Sequence, residues 1–210
     1  MHFAALLRIL GILLMLFSLT HLPPLLLALY EGSSVWRSFA VAQALTLLTG
    51  FVLWLPLQRR REELRVRDGY LLTVLFWFVL AAFAALPFYF SLEPHMSLAD
   101  SLFESFSGLS TTGATVLTGI DQLPRSILYY RQQLQWLGGM GIVVLAVAIM
   151  PMLGVGGMQL YRSEMPGPIK DSKLSPRIAD TAKTLWLIYC GLTLLCALAY
   201  WLAGMDGFDA

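Results

Sequence analysis

The chain has 210 residues, of which 58% are hydrophobic and 13% charged, with a mean hydropathy of +0.70. Ordinary soluble domains carry about a quarter charged residues, so the composition excludes that class and the long apolar runs place the chain in a lipid bilayer. The formal net charge of +1 points to no partner, nucleic acid included; the position of the charges is what informs.

The first apolar run covers 3–30 and is interrupted by Pro23 and Pro24, which are expected to kink it or end its regular part near Leu22. At 1.5 Å per residue it can cross a hydrocarbon core of about 30 Å. It is too long for the apolar core of a signal peptide, and no clear small-residue cleavage site follows it. Glu31, Gly32, Ser33 and Ser34 make a tight turn, and 35–57 is a second span with Trp36 and Trp54 as interfacial anchors. A basic loop, 58–69, holds Arg59, Arg60, Arg61, Arg65 and Arg67. The third span is 70–90, followed by a polar break at 91–97 with Glu93 and His95. Residues 99–110 then form a helix about 18 Å long, enough for half a membrane. The chain returns through 116–124, enters a fourth span at 126–150, and passes through a Gly/Pro-rich linker, 151–180. A fifth span covers 181–204. Cys190 and Cys196 point to different faces of that last helix and read as buried thiols.

With the N-terminus in the cytoplasm, both basic loops fall inside. Eleven of the fourteen Lys and Arg residues then lie on or near the cytoplasmic side, as the positive-inside rule demands. This works only if 91–125 does not cross the membrane. A re-entrant half-helix keeps the second basic loop inside, whereas a full crossing would put it outside.

The stretch Ser107-Gly108-Leu109-Ser110-Thr111-Thr112-Gly113-Ala114-Thr115 lies between apolar segments, yet it is almost entirely small or hydroxylated. Such a segment cannot face lipid, where each unpaired polar group costs several kcal/mol. It can line a watery path inside protein. The half-helix aims the negative end of its dipole at this stretch, and free carbonyls there could replace an ion's hydration shell. Gly113 permits dihedrals that other residues avoid, Ala114 leaves room, and the threonines can add hydroxyl ligands or tie the strand to the scaffold. Ser110, Ala114 and Thr115 are expected to line the same path. The alternative is a hydrogen-bonded turn in a helix–helix interface. Asp100, Glu104 and Asp121 are expected at the outer mouth, where a ring of carboxylates concentrates cations; the alternative is a solvated rim. His21 reads as packed or interfacial and His95 as solvated, and neither has partners at a metal-ligand spacing. Gly138-Gly139-Met140-Gly141 has the small residues of a close helix contact, with the half-helix as a candidate partner. Gly154-Val155-Gly156-Gly157 should break the fourth span, as a hinge or a loop.

Asp100 and Asp209 come after comparable spans at an offset of 109 residues, which puts a second filter glycine near position 222, past Ala210. One span–half-helix–span unit is therefore expected to be complete and a second only begun.

The filter-like stretch, together with Gln135-Trp136-Leu137-Gly138-Gly139-Met140-Gly141-Ile142 and Met158-Gln159-Leu160-Tyr161-Arg162-Ser163-Glu164, resembles the bacterial Trk potassium-uptake membrane subunits, the TrkH/TrkG family. The likeness extends over the whole chain. It implies an all-α polytopic membrane protein with a potassium-channel-like arrangement: two leading spans, then span–pore-helix–span repeats around a pore, four in a complete member. It implies potassium ion coordinated at Thr111 and Thr112, with Gly113 as the filter glycine. It also implies a homodimer, a cytoplasmic nucleotide-binding gating ring of the TrkA type, and a bacterial inner-membrane location. Three of the four repeats, the intramembrane gating loop and the basic gate residue are not within these 210 residues.

The expected organisation is a leading hairpin with its basic loop at 1–69 and a first repeat at 70–150. A linker at 151–180 and the first span of a second repeat at 181–210 complete it. The expected function is potassium uptake without covalent chemistry. Two rivals stand beside it: an inert or structural fragment, and a membrane-embedded enzyme using Glu93, His95 and Asp100.

Overall fold

The computed structural model describes residues 3–58, 66–144 and 174–210, and every regular element among them is helical. Four helices there are long and apolar enough to cross a membrane: Phe3–Tyr30, Trp36–Leu57, Leu71–Phe90 and Ala182–Leu202. The predicted fourth span begins as α7, Arg125–Val144. Its more apolar continuation, 145–150, lies outside the described residues, as do Gly154 to Gly157 and the second basic loop.

The first span is not one helix. Helix α1 (Phe3–Ser18) gives way to a 3₁₀ turn, Leu19–His21, before α2 (Leu22–Tyr30). The sequence puts the disruption near Leu22, at the prolines; the structure puts it one turn earlier. A proline ring collides with the carbonyl four residues before it, so Pro23 and Pro24 disturb Leu19 and Thr20. The prolines themselves sit in the first turn of α2, where no N–H is needed.

Helix α3 (Trp36–Trp54) packs along α1, and the two backbones meet at glycines. A Cβ on Gly11 would stand 2.7 Å from the Gly50 carbonyl oxygen, and a Cβ on Gly50 equally close to that of Gly11. Lipid tails are as apolar as leucine, so close van der Waals packing of this kind holds membrane helices together.

The third span begins at α4 (Val66–Ala84), earlier than the predicted residue 70, and is interrupted at Ala85 before α5 (Leu86–Phe90). Pro87, in the first turn of α5, is the cause. Carbonyls near this break take hydroxyl partners from other helices. Ser105 Oγ donates to Ala81 O at 2.8 Å, and Tyr130 Oη donates to Ala84 O at 2.9 Å. Ser38 Oγ at the start of α3 donates to Phe90 O at 3.1 Å. Side chains of α1, α3, α4, α5, α6 (Leu98–Leu109) and α7 share one core, with Phe17, Phe39, Phe88, Tyr130 and Leu134 among its buried members.

Residues 1–138 and 139–210 form two compact units. In the second, α8 (Leu174–Leu202) starts before the predicted residue 181. Its apolar side chains, Leu187, Leu194 and Leu195 among them, are exposed. Cys190 is half-buried and Cys196 exposed, and both are free thiols. The expectation of two buried thiols is not met: every described position from 182 to 202 is half-buried or exposed.

Candidate functional site

Helix α6 is the predicted half-helix, displaced by one residue. Ser97 is its N-cap: Ser97 Oγ accepts from the Asp100 backbone N–H at 3.1 Å and donates to the Asp100 carboxylate at 2.6 Å. Asp100 is thereby engaged at the positive end of the helix dipole.

The C-terminus of α6 sets the geometry of residues 110–116. The Thr112 N–H donates to Ser107 O at 3.0 Å and the Thr111 N–H to Gly108 O at 2.9 Å. These are the two bonds of a Schellman motif, which requires a left-handed residue between the helix and the exiting chain. That residue is Thr111, at φ +58°. Glycine is the usual occupant, because a branched Cβ strains this conformation by about 1–3 kcal/mol. Ser110 and Thr112 share a hydroxyl–hydroxyl hydrogen bond of 2.7 Å across it. Gly113 comes next at φ +75°, a region suited to a residue without Cβ.

From there the chain folds back along α6. Ser107 Oγ donates to Ala114 O at 2.6 Å. One turn earlier on α6, Glu104 receives Thr115 Oγ1 at 2.9 and 3.0 Å and the Val116 N–H at 3.2 Å. The order of partners, 107 with 114 and then 104 with 115 and 116, shows the strand running antiparallel to the helix. The chain therefore leaves the helix end and returns along its side. Residues 110–116 are exposed. Among the described residues, no hydrogen bond ends on the carbonyls of Thr111, Thr112 or Gly113.

The three expected mouth carboxylates sit in different surroundings. Asp121 is exposed in the 3₁₀ turn Ile120–Gln122, just after left-handed Gly119. Asp100 is half-buried beside the N-cap Ser97. Glu104 is buried and paired with Arg131 of α7, whose Nε donates to Oε1 at 2.7 Å; side-chain exposures are 3% and 9%. Glu104, expected at the outer mouth, is thus buried and engaged with Arg131. Its charge is compensated and its oxygens hold the returning strand. Glu93 and His95 are exposed in the outer loop. Among the described residues no group of three or more His, Cys, Asp and Glu could hold a metal ion.

Two features of this site went unread in the sequence. One is the Glu104–Arg131 pair, for which there was a signal. Arg131 is a charge inside a predicted span, and such a charge needs a named partner. The other is left-handed Thr111, which no residue-type rule would suggest. Of the small-residue run on α7, Gly138 meets α6: a Cβ there would fall on the Leu109 carbonyl. Gly108 closes the same crossing from the other side, where a Cβ would lie 3.1 Å from Leu134 Cβ.

Comparison with known proteins places this geometry in a family. The chain is 61% identical over 210 residues to the Trk system potassium uptake protein TrkH of Halomonas elongata, covering 100% of this chain and 44% of that protein. It is 44% identical over 200 residues to TrkG of Escherichia coli, covering 95% of this chain and 41% of that protein. The crystal structure of the potassium transporter TrkH from Vibrio parahaemolyticus superposes with a TM-score of 0.85 at 50% identity. That match covers 100% of this chain and 41% of the other. The chain thus spans less than half the length of the curated relatives it matches. Residues 37–210 match the TrkH family, described as cation transport protein, and the chain belongs to that family.

Proposed function

We propose that this chain takes part in potassium uptake across the bacterial inner membrane and contributes one strand of an ion-selectivity filter. The observation that carries this reading is the fold-back of 110–116 along α6, with the carbonyls of Thr111, Thr112 and Gly113 outside the local hydrogen-bond network. Thr111 and Thr112 are the proposed potassium ligands and Gly113 the filter glycine, with Ser110, Ala114 and Thr115 lining the path. Carbonyl dipoles would replace water around the ion, and no covalent step is involved. Asp100 and Asp121 are the remaining candidates for drawing cations to the outer mouth.

One strand cannot encircle an ion, so further strands must complete the filter. We place the N-terminus in the cytoplasm on the distribution of basic residues. The proposed organisation is a leading hairpin at 1–69, a first repeat at 70–150, a linker at 151–180 and a second repeat opening at 181. A homodimer and a TrkA-type nucleotide-binding ring are the proposed partners.

Rubidium uptake tests this reading in cells lacking their own potassium importers, with the protein expressed from its native gene. Gly113→Asp is expected to abolish uptake and His95→Ala to leave it intact. The reverse pattern would favour the enzyme reading built on Glu93, His95 and Asp100. The 210 residues alone are expected not to restore growth at low potassium; robust growth would mean that copies assemble into a pore.

A further inference from the structure

We propose that Tyr130 and His21 are positioning residues for the filter strand, acting through the Arg131–Glu104 pair; this rests on the reading of 110–116 as a filter strand.

Tyr130 is completely buried. Its hydroxyl donates to Ala84 O at 2.9 Å and its oxygen lies 3.4 Å from His21 Nε2. Its ring packs against Phe39, Phe88 and His21, with centroid separations of 5.3, 5.2 and 5.7 Å. His21 is itself buried, at the proline-induced 3₁₀ turn, with Nδ1 3.3 Å from Ser18 O. The leading spans and the α4–α5 break thus grip one side chain of α7.

The next residue on α7 is Arg131. Successive helix positions are separated by about 100°, so fixing the azimuth and depth of Tyr130 also fixes those of Arg131. Arg131 holds Glu104 at 2.7 Å, and Glu104 holds Thr115 and the Val116 N–H. A continuous set of directional contacts therefore runs from the first span to the strand. The proline break in the first span has a use in it, since it seats His21 facing α7.

Two measurements test the proposal, both on the protein expressed from its native gene. Tyr130→Phe keeps the ring and removes the hydroxyl. It is expected to lower the rubidium-over-sodium uptake ratio by about threefold or more, with unchanged membrane abundance. His21→Leu should do the same, while His21→Gln, which keeps a hydrogen-bonding side chain beside the Tyr130 hydroxyl, should rescue the ratio. In a Glu104→Gln background, Tyr130→Phe should add nothing further, because the route is already broken. Amide hydrogen exchange needs no flux. Val116 is expected to exchange about tenfold faster in Tyr130→Phe. Unchanged exchange at Val116, or effects of Tyr130→Phe and Glu104→Gln that add in full, would overturn the proposal. Absent wild-type uptake would count against the transport reading alone, and the exchange result would still decide this one.

Discussion

The α1–α3 contact and the contact of α6 with residues 110–116 solve opposite problems. In the first, two apolar helices meet at Gly11 and Gly50, with backbone carbonyls in place of side chains. Each helix satisfies its own backbone, so closeness alone is needed, and small residues supply it. In the second, an irregular strand cannot satisfy itself. Hydroxyls of Ser107 and Thr115 and the carboxylate of Glu104 do so, with Arg131 balancing the charge. The lesson is that small residues mark both regions, but they are packing surfaces in one and room for directional bonds in the other.

The largest break in this contrast should come from Glu104→Ala. It strands a buried Arg131 and releases the strand, so a loss of about 3–5 kcal/mol in stability is expected, together with loss of rubidium uptake. Thermal unfolding in detergent and uptake assays check both. Gly138→Ala should cost about 1–3 kcal/mol through overpacking on Leu109, with lower uptake, because it displaces the end of α6. Gly50→Ala should cost a similar amount in the same unfolding assay, yet leave the rubidium-over-sodium ratio unchanged, since Gly50 belongs to the packing region. Ser107→Ala removes one hydrogen bond and should cost about 1 kcal/mol, while altering that ratio. The smallest effect sharpens the comparison. Thr111→Gly relieves left-handed strain and should stabilise by up to about 1 kcal/mol, yet reduce uptake, because the turn is loosened and the carbonyls around it are less firmly held. A variant both destabilised and fully active would contradict this view of Thr111.

Much of this arrangement was legible in the residues. Long apolar runs dictate helices, because backbone groups in lipid have no other partner. The arginine distribution is what leads to the proposal that 91–125 is re-entrant, and the short helix before Ser110 is set by its length. The filter-like stretch stood out because hydroxyls and glycine have no reason to face lipid. These features are local or additive, so they survive without a fold. The registers between helices do not. The disruption by Pro23 and Pro24 was readable, but its displacement to Leu19–His21 depends on which carbonyl the rings strike. Glu104 looked like one more outer carboxylate; only the approach of α7 turned it inward, because a buried carboxylate needs a cation and Arg131 is the one that arrives. Thr111 became left-handed because the Schellman bonds and the returning strand over-determine its backbone. By itself, then, the sequence determined the spans, the charge pattern behind the proposed sidedness, and the polar stretch. Tertiary structure alone decided which charge pairs with which carboxylate and how the strand is held, since those depend on distances between segments far apart in the chain.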